Sequence, residues 1–229
     1  MWESIVSGFT QLLQYFYLLT EYLKIPNYGL AIIFFTLAVK SVLFPLTAKQ
    51  MRSMRVIQEL QPKIKAIQEK YRDKPEKAQQ AVMNLYKEAG ANPLSGCLPL
   101  LVQMPILFAL YQALLHFPFS VVEHTRFLWI PNLAHPDLIG LPVLVVITTF
   151  FQQYVTSLTT TGKIDSNQRM MLYFMPLVIG WLARSFPAGL SLYWVTFSFL
   201  GIIEQFIIKR YVRIGREQSV SNEVGRSRG

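Results

Sequence analysis

The sequence predicts an all-α membrane protein with five transmembrane helices. Hydrophobic residues make up 52% of the 229 positions and charged residues only 15%, whereas about a quarter of the residues in soluble domains are charged. Four apolar runs reach the roughly 20 residues needed to cross a hydrocarbon core. A fifth run is shorter and reaches a workable length only when Arg184 and Phe186 are counted at its far end. The predicted spans are 28–48, 92–115, 138–158, 170–186 and 187–208.

The basic residues are distributed unevenly between the segments that connect these spans. Segments 49–91, 159–169 and 209–229 together hold eighteen of the 22 Lys and Arg residues. Positively charged loops stay on the cytoplasmic side of a membrane. We therefore expect the N-terminus outside, the C-terminus in the cytoplasm, and residues 116–137 in an outer loop.

Two polar segments have apolar residues at helical spacing. Residues 1–27 carry apolar side chains at three- and four-residue steps, which predicts an amphipathic helix lying in the outer interface. These residues lack a basic start and a small-residue cleavage site, so we expect no signal peptide there. Segment 49–91 is too polar to enter the membrane, and its periodicity predicts a cytoplasmic hairpin of two antiparallel helices. A solvated spacer without a partner is the alternative.

Lys40 is a cation inside the first predicted span. Such a residue costs about 2.5 to 3.5 kcal/mol on insertion scales and usually faces the bundle interior or a wet cavity. Three interpretations stay open: a functional cation in a cavity, a buried ion pair with Glu204 of the last span, and snorkelling to the cytoplasmic head groups. Snorkelling requires a long reach, because the helix from Lys40 to Ala48 is roughly 12 Å long.

Several uncharged polar side chains also fall within the spans. Each one taken alone is explained by an interhelical hydrogen bond, worth about 0.6 kcal/mol. Together with a cation they favour a water-containing cavity over a dry bundle. These residues are Thr36, Gln103, Gln112, Thr148, Thr149, Gln152, Gln153, Ser191, Thr196 and Ser198.

Enzymatic chemistry has little support in the sequence. There is no Gly-x-Ser-x-Gly elbow, no His-Glu-x-x-His motif and no Gly-rich phosphate loop. The three histidines lie in the predicted outer loop at spacings that match no helical metal motif, and the single cysteine, Cys97, excludes an intramolecular disulfide. We expect no catalytic residue, no metal site and no cofactor.

The C-terminal segment 209–229 is a basic tail. Its charges suit anionic lipid, at about 1 kcal/mol per basic residue near the surface, and they equally suit ribosomal RNA. Composition does not separate these two partners, and we expect no specific DNA binding.

Six short motifs follow one another in an order that is typical of a known family. Through them the chain resembles the YidC/Oxa/Alb family of membrane protein insertases, most closely the short bacterial form without a large external domain. The motifs are Tyr28–Ile32, Phe44–Leu46, Leu60–Lys63, Asn92–Pro99, Gln103–Ile106 and Phe186–Trp194.

The resemblance implies five spans in the bacterial plasma membrane around a hydrophilic groove that opens to the cytoplasm and to lipid. It places a basic residue in the groove, commonly arginine in this family and Lys40 here. It also implies that the protein inserts and helps to fold nascent membrane proteins, as a monomer, alone or with the Sec translocon, and with the ribosome near the basic tail. The substrate-contacting groove residues carried over by position are Lys40, Thr36, Gln103, Gln153, Tyr193 and Trp194.

Two other function classes compete with an insertase. A transporter or channel would conduct a small anion past Lys40, but the sequence has no inverted repeat and no paired broken helices. A structural assembly factor would contact other membrane proteins only after their insertion.

Overall fold

Eight α-helices account for most of the regular structure. The computed structural model describes residues 2–92, 98–160 and 166–226. Within these ranges every regular element is helical except an isolated β-bridge between Phe127 and Ile130, so the predicted all-α fold class is confirmed for the described chain. The helices are α1 (Trp2–Tyr22), α2 (Tyr28–Glu59), α3 (Gln61–Lys70), α4 (Pro75–Glu88), α5 (Leu98–Leu115), α6 (Gly140–Thr160), α7 (Ser166–Ala183) and α8 (Ala188–Arg226), with a 3-10 helix at Val122–Thr125.

Three helices of the described chain are long and apolar enough to cross a membrane. Their spans are Tyr28–Glu59, Gly140–Leu158 and Ala188–Ile208. The helices that coincide with the second and fourth predicted spans have shorter apolar stretches, Leu101–Leu115 and Arg169–Ala183. Five spans therefore stay a prediction. Residues 93–97 of the Asn92–Pro99 motif, which include Cys97, residues 161–165 of the loop 159–169, and the last three residues of the basic tail lie outside the described residues.

Helices α2 and α8 continue beyond the apolar stretches with which they begin. α2 starts at Asn27, whose side-chain oxygen accepts hydrogen bonds from the backbone N–H groups of Gly29 and Leu30, and it continues to Glu59. α8 passes through the predicted boundary at residue 208. The boundaries at 48 and 208 mark changes of composition and not helix ends, because Lys, Arg, Gln and Met continue a helix readily.

α7 ends earlier than the sequence predicts. Its last residue is Ala183, and residues 184–186 form a turn, so Arg184 and Phe186 at the far end of the predicted span 170–186 lie beyond the helix. The physical reason is Pro187, which disfavours helical backbone at the residue before it. α8 begins directly afterwards. Its first N–H groups, on Ala188 and Gly189, donate to the carbonyls of His135 and Leu133 in the loop before α6.

The main core joins α1, α2, α5 and α8. The ring of Tyr17 stacks on Tyr28 at a centroid distance of 4.1 Å, and Phe9 meets Phe35 edge-on at 5.4 Å. α1 therefore runs antiparallel along α2. Its residues Phe9, Leu13, Phe16 and Tyr17 pack against the core, whereas other apolar residues of the same helix, such as Trp2, Ile5, Leu18 and Leu19, are exposed. Its predicted place in the outer interface stays a prediction.

α3 and α4 pack against each other through a second, smaller apolar cluster. The residues of segment 49–91 are divided among the end of α2, α3 and α4. This cluster contains buried Leu60, Ile64 and Ala91, with Ile57, Val82, Leu85 and Tyr86 packed around them. Five of these positions follow from the apolar periodicity that predicts the hairpin: Leu60, Ile64, Val82, Leu85 and Ile57, the last as an alternative to Gln58.

The start of α6 is held by the carboxylate of Asp137. Its two oxygens accept hydrogen bonds from the backbone N–H groups of Ile139, Gly140 and Leu141 and from the indole N–H of Trp129. Partial burial acts to raise the pKa of Asp137, but these four hydrogen bonds outweigh it and hold the pKa below its usual value.

We predict that Asp137→Ala lowers the stability of the protein by about 1 kcal/mol at neutral pH, because a helix start loses its cap. Since the folded-state pKa is the lower one, the ionised cap stabilises above the unfolded-state pKa of about 3.9, and this stabilisation is lost as the pH falls through the folded-state pKa. A second variant, Asp137→Asn, removes only the charge. The thermal unfolding temperatures of the wild type and Asp137→Asn should therefore differ at pH 7 and become equal in acid. A difference that does not change with pH would contradict this assignment.

Candidate functional site

Lys40 of α2 and Glu204 of α8 form a buried ion pair. Lys40 Nζ donates to Glu204 Oε2 at 2.7 Å, and both residues are only 7% exposed. The pair joins the two helices, which pack against each other along the core. Of the three interpretations of Lys40, the structure therefore contains the ion pair, and the burial of Lys40 within the protein disfavours snorkelling.

The surroundings of the pair come mainly from one face of α8. Lys40 Nζ lies 3.8 Å from the ring centroid of Phe197, which is a cation–π contact. Gly201 lies on the same face, where a Cβ atom would be 3.3 Å from Nζ and would overlap the side-chain amide of Gln152. The absence of a side chain at Gly201 thus lets Lys40 and Gln152 of α6 approach the same point of α8.

The second carboxylate oxygen of Glu204 is unsatisfied. Glu204 Oε1 is buried and has no hydrogen-bond partner among the described residues. A buried carboxylate is stabilised when several donors reach both of its oxygens. Here the described contacts reach only one of them, so Glu204 holds Lys40 through a single oxygen.

Two other predicted groove residues form a hydrogen bond next to this pair. The amide of Gln103 in α5 donates to the hydroxyl of Tyr193 in α8 at 3.0 Å, and both residues are buried. The Tyr193 ring lies 5.7 Å from Phe197, centroid to centroid, and Phe197 in turn contacts Lys40. The structure therefore connects Gln103, Tyr193 and Lys40 through one aromatic side chain.

The remaining predicted residues are placed differently. The Thr36 hydroxyl is fully buried and donates to the carbonyl of Ile32 on its own helix at 2.6 Å. The indole N–H of Trp194 donates to Thr149 of α6 at 2.9 Å. Gln153 is half-buried, and it is its neighbour Gln152 that lies against Gly201 beside the ion pair.

Sequence reasoning did not select Phe197, Gly201 or Gln152 as site residues. A signal for the first two was present, because Tyr193, Phe197, Gly201 and Glu204 are spaced by four, four and three residues and so share one helix face. No comparable signal distinguishes Gln152 from Gln153. Among the described residues, no group of three His, Cys, Asp or Glu side chains is arranged to hold a metal ion.

Comparisons with known proteins give a consistent result. The sequence model of the 60Kd inner membrane protein family matches residues 18–216. The chain is 43% identical over 193 residues to the membrane protein insertase YidC of Oceanobacillus iheyensis, covering 80% of this chain and 75% of the relative. It is 43% identical over 212 residues to the membrane protein insertase YidC 2 of Bacillus anthracis, and this match covers 90% of this chain and 80% of the relative.

The chain belongs to the YidC/Oxa/Alb family of membrane protein insertases. With its long apolar helices, it is a multi-pass protein of a bacterial membrane. It is also 37% identical over 240 residues to the membrane protein insertase YidC of Wolinella succinogenes, where the match covers 98% of this chain but 44% of the relative. Members of this family thus differ in length, and this chain matches less than half of some longer ones.

We predict strong energetic coupling between Lys40 and Glu204. Lys40→Met or Glu204→Gln alone should cost about 3 to 5 kcal/mol, because each leaves a buried group without its partner. The double variant should cost much less than the sum. The measurement is a double-mutant cycle on reversible unfolding of the full chain in detergent.

The exposed pair Lys87 and Glu88 of α4 provides the control, since the same substitutions there should show coupling below about 1 kcal/mol. Additive costs at Lys40 and Glu204 would mean that the two side chains do not stabilise each other.

Proposed function

We propose that this protein inserts newly made membrane proteins into a bacterial membrane and assists their folding. The observation that carries the proposal is a buried cation, Lys40, on a membrane helix of a chain whose relatives are named membrane protein insertases. In this proposal the Lys40 ammonium attracts the acidic or polar segment of a substrate that has to cross the membrane.

The proposed architecture has five spans around a hydrophilic groove. The N-terminus lies outside and the C-terminus in the cytoplasm, because the basic segments are then all cytoplasmic. Substrate contacts the groove residues Lys40, Thr36, Gln103, Gln153, Tyr193 and Trp194. The hydrogen bond between Gln103 and Tyr193 and the contact of Phe197 with both Tyr193 and Lys40 support a common polar site in the bundle.

The energetic role of such a groove follows from the cost of desolvation. Transfer of an unpaired polar group from water into hydrocarbon costs several kcal/mol of free energy. A polar groove shortens the dry part of the path for the substrate's polar segment. The apolar span of the substrate then leaves sideways into lipid, where burial releases about 25 cal/mol per Å² of apolar surface. The membrane potential assists acidic segments, and no nucleotide is required.

Segments outside the bundle have proposed roles of their own. The hairpin formed by α3 and α4 receives substrate on the cytoplasmic side. The basic residues from Lys209 onwards contact anionic lipid and the ribosome. The protein acts as a monomer, either alone or beside the Sec translocon.

The decisive experiment compares wild type with variants of Lys40 in liposomes that contain this protein alone. The substrate is a radiolabelled single-span protein with an acidic N-terminal tail, and the readout is protection from added protease. Lys40→Arg should keep insertion, whereas Lys40→Ala and Lys40→Glu should reduce it about tenfold or more, because they remove or reverse the attracting charge.

Lys24→Ala is the matched control, since Lys24 is an exposed lysine in the turn before α2 and should not affect insertion. Full insertion by Lys40→Ala would exclude the role of the buried cation. If no substrate becomes protected from protease in liposomes with the wild-type protein, the protein acts only with partners or as a transporter.

A second prediction concerns the hairpin. Deletion of residues 55–85 should slow insertion several-fold while α1, α2, α5 and α8 still pack, because their core is separate from the hairpin cluster. The measurements are the insertion rate and the unfolding temperature of the purified protein. An unchanged insertion rate would mean that the hairpin is only a spacer and does not receive substrate.

A further inference from the structure

The attracting charge of the proposed function is already paired within the protein. Lys40 Nζ is bound by Glu204 Oε2 at 2.7 Å and covered by the Phe197 ring at 3.8 Å. On the Gly201 side, even one added carbon atom would lie 3.3 Å from Nζ. Lys40 is only 7% exposed, and Glu204 and Phe197 occupy two sides of its ammonium. A substrate carboxylate that binds this ammonium therefore competes with Glu204 for it.

The pair has the features of an exchangeable contact. Glu204 binds through one oxygen, and its other oxygen is buried without a partner among the described residues. The lysine ammonium is a compact charge on a flexible stem and accepts a new partner without a fixed planar geometry. The amide of Gln152 lies against Gly201, which is three residues before Glu204 on the same helix.

We propose that Glu204 is a resident counterion that occupies Lys40 between substrates and is displaced by a carboxylate of the incoming segment. The inference rests on the proposed function. Glu204 keeps the buried lysine neutralised when no substrate is present, and its return to Lys40 releases the substrate's acidic segment. Glu204 is then a specificity-determining residue, because a neutral polar tail cannot displace it.

The exchange has a measurable consequence for affinity. When a binding-competent state is only fractionally populated, the apparent affinity falls by that fraction. If Glu204 occupies Lys40 at least about nine-tenths of the time, its removal tightens the binding of an acidic segment at least about tenfold. A neutral segment gains nothing, since it does not compete with Glu204.

The experiment measures binding of two synthetic single-span peptides to the full chain in phosphatidylcholine vesicles. The peptides are identical except that the N-terminal tail carries Asp residues in one and Asn residues in the other. Glu204→Gln should bind the Asp-tailed peptide at least about tenfold more tightly than wild type and the Asn-tailed peptide equally well. Glu204→Asp, whose shorter side chain reaches Lys40 less well, should show a smaller gain.

Glu3→Gln is the matched control, because it makes the same chemical change at an exposed carboxylate of α1 and should leave both affinities unchanged. If the wild type prefers the Asp-tailed peptide but a folded Glu204→Gln protein shows no gain, the counterion proposal is overturned and the proposed function stands. If neither the wild type nor Glu204→Gln distinguishes the two peptides, Lys40 does not attract acidic segments, and both that part of the proposed function and the counterion role fail.

A second measurement needs no variant and covers the case in which Glu204→Gln does not fold. A hydrophobic carbodiimide should couple the Lys40 amine to the Glu204 carboxylate in the wild-type protein, giving an amide that mass spectrometry detects. The Asp-tailed peptide should lower the yield of this amide and form its own amide with Lys40, whereas the Asn-tailed peptide should do neither. A yield that the Asp-tailed peptide does not change would overturn the exchange.

Discussion

The ion pair between Lys40 and Glu204 constrains the whole bundle. Two charges buried among apolar helices are tolerated only when they meet at close range, because each alone carries a desolvation penalty of several kcal/mol. This requirement fixes the register of α2 against α8, which the pair joins at 2.7 Å. It also explains why small and aromatic residues occur where they do on α8. Phe197 covers the ammonium, and Gly201 leaves the space that Lys40 and Gln152 occupy.

The end of the bundle at which α8 begins supports the same contact between α2 and α8. The first N–H groups of α8 are satisfied by carbonyls of the loop that precedes α6, and a Cβ atom at Gly189 would lie 3.1 Å from Ile32 of α2. Close approach at Gly189 and a charged contact at Glu204 hold the two helices together at two levels. α1 adds a further layer, since its rings stack along the same part of α2.

Hydropathy and charge were sufficient to predict the helical fold class and the three long apolar helices. They also identified Lys40 as a cation inside the first of these helices. The small cluster between α3 and α4 also follows from the apolar periodicity of segment 49–91. The set of residues around the ion pair could not be predicted in this way, because it depends on which residues of three separate helices meet. Gln152 and Gln153 are equivalent in hydropathy, but adjacent residues of a helix point about 100° apart, and only Gln152 reaches Gly201. The end of α7 depended on a proline that hydropathy does not weigh.

The identity of the cation bears on how the site works. The family resemblance places a basic residue at this position, commonly arginine and here Lys40. An arginine fork presents parallel donors that match both oxygens of a carboxylate. With lysine, one oxygen of Glu204 is bound and the other is left without a partner among the described residues. A fork would satisfy both oxygens and hold the resident carboxylate more firmly. The single ammonium of Lys40 therefore pairs with Glu204 closely enough to permit burial but incompletely enough to allow another carboxylate to replace it.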